Sequence, residues 1–250
     1  GRLLSNTTLP KEELRLRFLS QSDTAIKDAQ AATQLNPLNY LNWLALGRVY
    51  QALVPLGIDG AYERSQEAFA KAKTLNPTNP SILLDYFASL EINKKNISKA
   101  KDYATQSLKI KDNYSQAVSL LSQIDVQEGN SDVAARRLEG FLSIYPQYAD
   151  AGLYFQLGYL KYESNLYEQA ALALGRAISL VPNFANAKYF LGLSLIELGD
   201  RAGALQQFED IARFNPDNQE VKQYIRDLKR GVSLPTNDTS TTTTATTTKK

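Results

Sequence analysis

The sequence predicts an all-α solenoid built from repeated pairs of antiparallel helices, and three observations carry that reading. Two passages nearly match: Phe155-Gln156-Leu157-Gly158 with Ala170, Leu174 and Pro182, then Phe190-Leu191-Gly192 with Ala204, Phe208 and Pro216. In both, glycine to alanine is 12 residues and alanine to proline is 12, so the period is 34. Self-similarity at a fixed period of roughly 20–50 residues marks stacked supersecondary units. Prolines at 37, 77, 146, 182 and 216 divide the chain into similar blocks, and each disfavours helix in the residue before it. Small residues recur in register as well, at Ala100, Ala134, Ala170 and Ala204.

Each element follows in order. Leu3-Leu4 and the stretch to Pro10 read as a helix end and a turn. Lys11 to Leu35 reads as one helix with Pro10 in its first turn and Glu12-Glu13 near its positive end. Leu14, Phe18, Ala25, Ala29 and Ala32 recur there at helical spacing, and the alanines match the second half of a unit. Residues 10–37 are therefore a partial unit. The first complete unit, 38–77, spans 40 residues from Pro37 to Pro77, with the excess in Val54 to Gly60. Proline, two glycines and an aspartate there predict an extended turn with an apolar tip. The unit 78–112 is degenerate, with Ala88 in place of glycine and Asp112 in place of proline. Units 113–146, 147–182 and 183–216 follow. Within 217–230, Gln219 to Arg230 is expected to form a capping helix, with Val221, Tyr224, Ile225 and Leu228 on one stripe. The solenoid domain is thus 1–231. Residues 232–250 are expected to be a disordered tail, because from Thr236 onward no large apolar residue is present.

At each helix crossing the spacing places Gly47, Ala88, Gly158 or Gly192, where a larger side chain would part the backbones. Phe69, Leu138, Leu174 and Phe208 fill the gap beside them. The pattern Trp43-x-x-Leu46-Gly47-x-x-Tyr50 followed by Ser65, Phe69, Ala72 and Pro77, repeated in outline in the later units, resembles the tetratricopeptide repeat family. That resemblance implies a right-handed superhelical solenoid of about five repeats, with the partial N-terminal unit and the C-terminal cap. It also implies a binding function on a concave groove lined by the first helix of each unit. Residues one turn apart on those helices include Arg48 and Gln51, then Asp85 and Ser89, then Gln123. Phe155, Tyr159 and Tyr162 follow in the fourth unit, and Tyr189 and Glu197 in the fifth. Amide and aromatic side chains suit an extended peptide. The alternative is that the tyrosines pack against the adjacent unit. The family's carboxylate clamp is not expected, since Leu44 and Asp85 stand where cations are needed.

Composition excludes more than it assigns. With no cysteine and no histidine there is no thiol nucleophile, no Cys/His zinc site and no histidine acid–base chemistry. A net charge of +2 gives no reason to expect nucleic acid, and the lysines from Lys94 to Lys111 are interleaved with acids as on a solvated face. No window offers the roughly 18 uncharged residues of a membrane span. With no methionine, the chain is expected to be a processed or excised piece. Asp28 to Ala32, Leu35-Asn36-Pro37 and Trp43 to Pro55 are also similar to the C-terminal repeat regions of bacterial O-antigen ligase or polymerase-like membrane proteins. That resemblance covers about the first 80 residues and implies an extracytoplasmic appendage tethered to a membrane portion upstream. The expected function is a non-catalytic scaffold for a peptide or partner protein, without cofactor. The alternative is a structural appendage of a cell-envelope membrane protein. Paired acids such as Glu12-Glu13 and Glu209-Asp210 read as helix surface, so an enzyme is not expected.

Overall fold

A computed structural model describes residues 10–231, and every regular element among them is helical. The expectations for residues 1–9 and for the tail 232–250 concern residues outside that span. The described chain forms two compact units that meet between Asn130 and Ser131, inside the block 113–146.

The first unit contains α1 (Lys11–Leu35), α2 (Tyr40–Leu53) and α3 (Ala61–Leu75). A π-helical run, Ile82–Ala88, then continues as α4 (Ser89–Asn93), followed by α5 (Ile97–Ile110) and α6 (Ser115–Gln127). The second unit contains α7 (Ser131–Ile144), α8 (Ala151–Glu163), α9 (Tyr167–Leu180), α10 (Ala185–Glu197), α11 (Arg201–Phe214) and α12 (Gln219–Arg230). Helices α3, α9 and α11 each stop two residues before Pro77, Pro182 and Pro216, as the proline rule requires. Asn39, Asn96, Asp150, Asp200 and Asn218 accept backbone N–H bonds as N-caps, each satisfying a donor the helix leaves free.

The crossings are built as the spacing predicts. A Cβ on Gly158 would lie 2.6 Å from Leu174 Cγ, and one on Gly192 would lie 2.8 Å from Phe208 Cζ. One on Gly47 would strike the Phe69 ring. Phe69, Leu174 and Phe208, with Ala100, Ala170 and Ala204, are wholly buried. The degenerate second repeat closes its crossing differently: Ala88 and Ala104, both fully buried, replace the glycine–large pair at the same separation of 16. The turn between paired helices also repeats, with Lys95, Gly129, Asn165 and Gly199 all at positive φ.

Two elements differ from expectation. Val54 to Gly60 is a compact turn, not an extended one: Val54–Leu56 is 3₁₀, and Gly57 and Gly60 take left-handed φ of 69° and 72°. Val54 and Ile58 fold back onto Tyr50, Leu53 and Ala61, because burying them is worth more than leaving an apolar tip in water. The second difference is the π-helical run. Its wider winding shifts the helix face, so Ile82 is fully buried while Asp85, three residues on, is exposed.

Candidate functional site

In the second unit, α8 and α10 bring five aromatic rings together. Phe155 and Tyr159 stack with centroids 6.4 Å apart. Phe190 stands at the centre, 4.9 Å from Tyr159, 5.5 Å from Tyr162 and 5.4 Å from Tyr189. Sequence reasoning used Phe190 only as a repeat marker and missed it as a site residue; its position two residues before Gly192 is the signal that could have placed it.

The structure separates the tyrosines. Tyr162 is buried against Phe190 and Tyr167, which corrects its assignment to an open groove: it is a packing residue. Tyr189 is half-buried, edge-on to Phe208 and Tyr224, and its hydroxyl donates to Glu220 Oε1 at 2.6 Å. Burial, with that carboxylate beside it, pushes its phenol pKa up. It therefore ties α10 to the cap. Phe155 and Tyr159 keep part of their rings accessible. Burial and then Glu163 raise the Tyr159 phenol. Glu197 is half-buried further along α10. The lysines of these helices are already used: Lys161 pairs with Glu139 at 2.5 Å and Lys188 with Asp210 at 2.9 Å. Carboxylates are thus the charged groups bonded to the aromatic face.

In the first unit the polar candidates do not converge. Gln51 Nε2 donates to Ser89 Oγ at 3.1 Å, so these two are partly spent on each other. Gln123 is exposed and donates to Ser119 on its own helix at 3.2 Å. Asp85 is exposed at its surface yet partly desolvated, which raises its carboxyl pKa. Burial first, and the charge of Asp85 second, push the Tyr114 phenol up to about 12. Arg48 is exposed and lines a cavity of about 340 Å³ with Phe18 and Ser22.

Residues 155–219 match the tetratricopeptide repeat family model. No curated protein matches the sequence. Among solved structures, PilF of Pseudomonas aeruginosa is 16% identical, with a TM-score of 0.62 over 86% of this chain and 95% of that one. YrrB, described as a TPR protein with an unusual peptide-binding site, is 16% identical, with a TM-score of 0.54 over 81% of this chain and all of that one. The Cut9–Hcn1 tetramer of the APC/C gives 14% identity and a TM-score of 0.58 over 84% of this chain. This chain spans only 40% of the length of that match. Identities this low speak for shape alone. The fold is that of tetratricopeptide repeats.

Polar groups inside the repeats serve the fold. Glu91, fully buried, accepts from Tyr62 Oη at 2.6 Å and Gln66 Nε2 at 3.0 Å. Lys101 bridges α5 to the buried Asp125 of α6 at 2.9 Å. Buried charges need such partners, because an unpaired one costs several kcal/mol. Among the described residues no group of acids could hold a metal ion, and no helix is long and apolar enough to cross a membrane. A cavity of about 760 Å³ lies elsewhere, between α1, α2 and α3, and none of the candidate groove residues lines it.

Proposed function

We propose that this chain is a non-catalytic protein-interaction scaffold whose second unit receives an extended peptide segment across α8 and α10. The observation that carries the reading is the half-exposed Phe155–Tyr159 stack backed by Phe190. Aromatic anchors of this kind supply a disproportionate share of interface energy, often about 2 kcal/mol or more each on truncation. The bordering carboxylates Glu163 and Glu220 and the prior pairing of Lys161 and Lys188 favour a peptide carrying lysine or arginine. Such cations gain from the ring faces as well as from the acids. The repeat match over 155–219 covers this face, and the peptide-binding description of YrrB supports the ligand class. In the first unit Arg48, Gln51, Asp85, Ser89 and Gln123 would add polar contacts to a partner.

The test is a fluorescence-anisotropy panel of labelled 12-residue peptides, basic and acidic, against wild type and Tyr159→Ala. Basic peptides are expected to bind, and Tyr159→Ala to weaken them about tenfold or more with helicity intact. Unchanged affinity in a folded Tyr159→Ala protein would sink the assignment.

A second reading makes the chain a structural appendage of a cell-envelope membrane protein of the O-antigen ligase type. What supports it is the six-residue excess at Val54–Gly60, the feature on which that resemblance rests, which forms a built turn with its own apolar contacts. Fractionation of the native gene product decides it: recovery from the soluble fraction alone would end this reading.

A further inference from the structure

The cavity of about 760 Å³ between α1, α2 and α3 falls in the size range of ligand pockets, roughly 300–1,000 Å³. Its floor is a stripe of α2 different from the one carrying Arg48 and Gln51: Trp43, Leu46 and Tyr50. The polar edges of this floor are already satisfied. Trp43 Nε1 donates to Pro37 O at 2.8 Å, and the Tyr50 hydroxyl accepts from Gln30 Nε2 at 3.1 Å. The rings are left to offer apolar surface. Space persists because α3 presents only Ala68 and Ala70 beside the long residues of its wall.

That wall is cationic. The Arg64 guanidinium lies over the Tyr50 ring, 5.6 Å from its centroid, and has no carboxylate partner among the described residues. Lys71, seven residues along α3, likewise has none, and Glu67 between them pairs with neither. Other cations of this unit are paired: Arg17 with Glu13, Lys27 with Asp23, Lys101 with Asp125. Two unneutralised cations against one acid leave the cavity short of negative charge.

We infer that this cavity binds an acidic peptide segment with carboxylates three residues apart and an apolar side chain between them. Seven helical residues separate Arg64 and Lys71 by about 10.5 Å along the axis. A polyproline-II peptide rises about 3.1 Å per residue with three residues per turn, so side chains at j and j+3 share a face and stand about 9 Å apart. Acids at j and j+3 therefore reach the two cations. A residue at j+1 or j+2, turned by a third of a revolution, meets the floor of Trp43 and Leu46. Glu67 rejects a further acid between them. This site is separate from the aromatic face of α8 and α10 and calls for a peptide of opposite charge.

Trp43 is the sole tryptophan of the sequence, so its fluorescence reports on this cavity. The full chain is titrated with the blocked peptides Glu-Leu-Ala-Glu, Gln-Leu-Ala-Gln and Lys-Leu-Ala-Lys, and with suberate as a free dicarboxylate. The expected result is a saturable change in Trp43 emission with the acidic peptide only, weaker in high salt. Arg64→Ala with Lys71→Ala should weaken it at least tenfold. Lys71→Glu should transfer preference to Glu-Leu-Ala-Lys, a gain that misfolding could not produce. Equal response to the glutamine or lysine peptide, no response to the acidic one, or indifference to the Arg64/Lys71 changes would overturn the proposal. Suberate binding as well as the peptide would overturn its peptide part.

Discussion

At the scale of single residues, the crossing positions behave as a matched set, and substitutions there should be unequal in a predictable way. Phe69 is wholly buried against Tyr86 and Phe87, at centroid distances of 5.1 and 5.8 Å. Phe69→Ala should cost about 3–5 kcal/mol in denaturant melts, the range for a buried aromatic truncation. Lys95→Ala should stay within about 0.5 kcal/mol, as an exposed change does. Lys95→Gly should do better than neutral. Lys95 holds φ 60°, where an L side chain costs roughly 1–2 kcal/mol, against about 0.5–1 kcal/mol for the added freedom of glycine when unfolded. A net gain of about 0.5 kcal/mol is expected, and a loss would show that the turn is not strained. The small–large pairing was legible because spacing alone reports it. The split among Tyr159, Tyr162 and Tyr189 was not, because one stripe on a helix passes from open face to buried flank within a single turn. The acceptor that fixes Tyr189, Glu220, lies 31 residues away, beyond any local pattern.

At the scale of elements, α1 and α12 run between the residues their sequences predict, since proline, caps and a glycine stop define them. The π-helical run at Ile82–Ala88 was invisible to a reading that assumes 3.6 residues per turn. Ile82, Leu83 and Leu84 are consecutive and all buried, an arc too wide for one stripe of an ordinary helix. Next to this run, Tyr114 packs on Leu84 and Leu121, with its phenol pushed from 10.0 up to about 12. A phenol raised in the folded state favours folding fully below its unfolded value near 10. That contribution is lost as pH rises through about 12, when the folded protein must also ionise. Tyrosinate absorbance should therefore show Tyr114, identified by its loss in Tyr114→Phe, titrating well above the exposed tyrosines, and stability should fall across that window. Titration of Tyr114 near 10 in the folded protein would contradict its burial. On the cap, Tyr189→Phe keeps the ring on Phe208 and Tyr224 but deletes the bond to Glu220. It should cost about 1 kcal/mol and show as faster amide exchange in α12.

At the scale of the whole molecule, the two compact units each carry a complete core, Phe69 with Ile82 and Leu90 in one, Phe208 with Val221 and Leu228 in the other. Repeats bury surface only against their neighbours, so stability is a sum of local terms and not one global quantity. A lesion in one core should then be felt there first. In Phe69→Ala, amide exchange should quicken through α2, α3 and α5, while α10 and α11 keep wild-type protection. Phe208→Ala should give the converse. Thermal melts of either variant should broaden or split, because the damaged unit now unfolds at a lower temperature than the intact one. A single sharp transition, shifted as a whole and accompanied by uniform loss of protection, would mean that the chain folds as one cooperative body. The aromatic face of α8 and α10 and the cavity of α1 to α3 would then share one stability. Under the local scheme, ligand at one site protects the amides of its own unit by mass action and leaves those of the other unchanged.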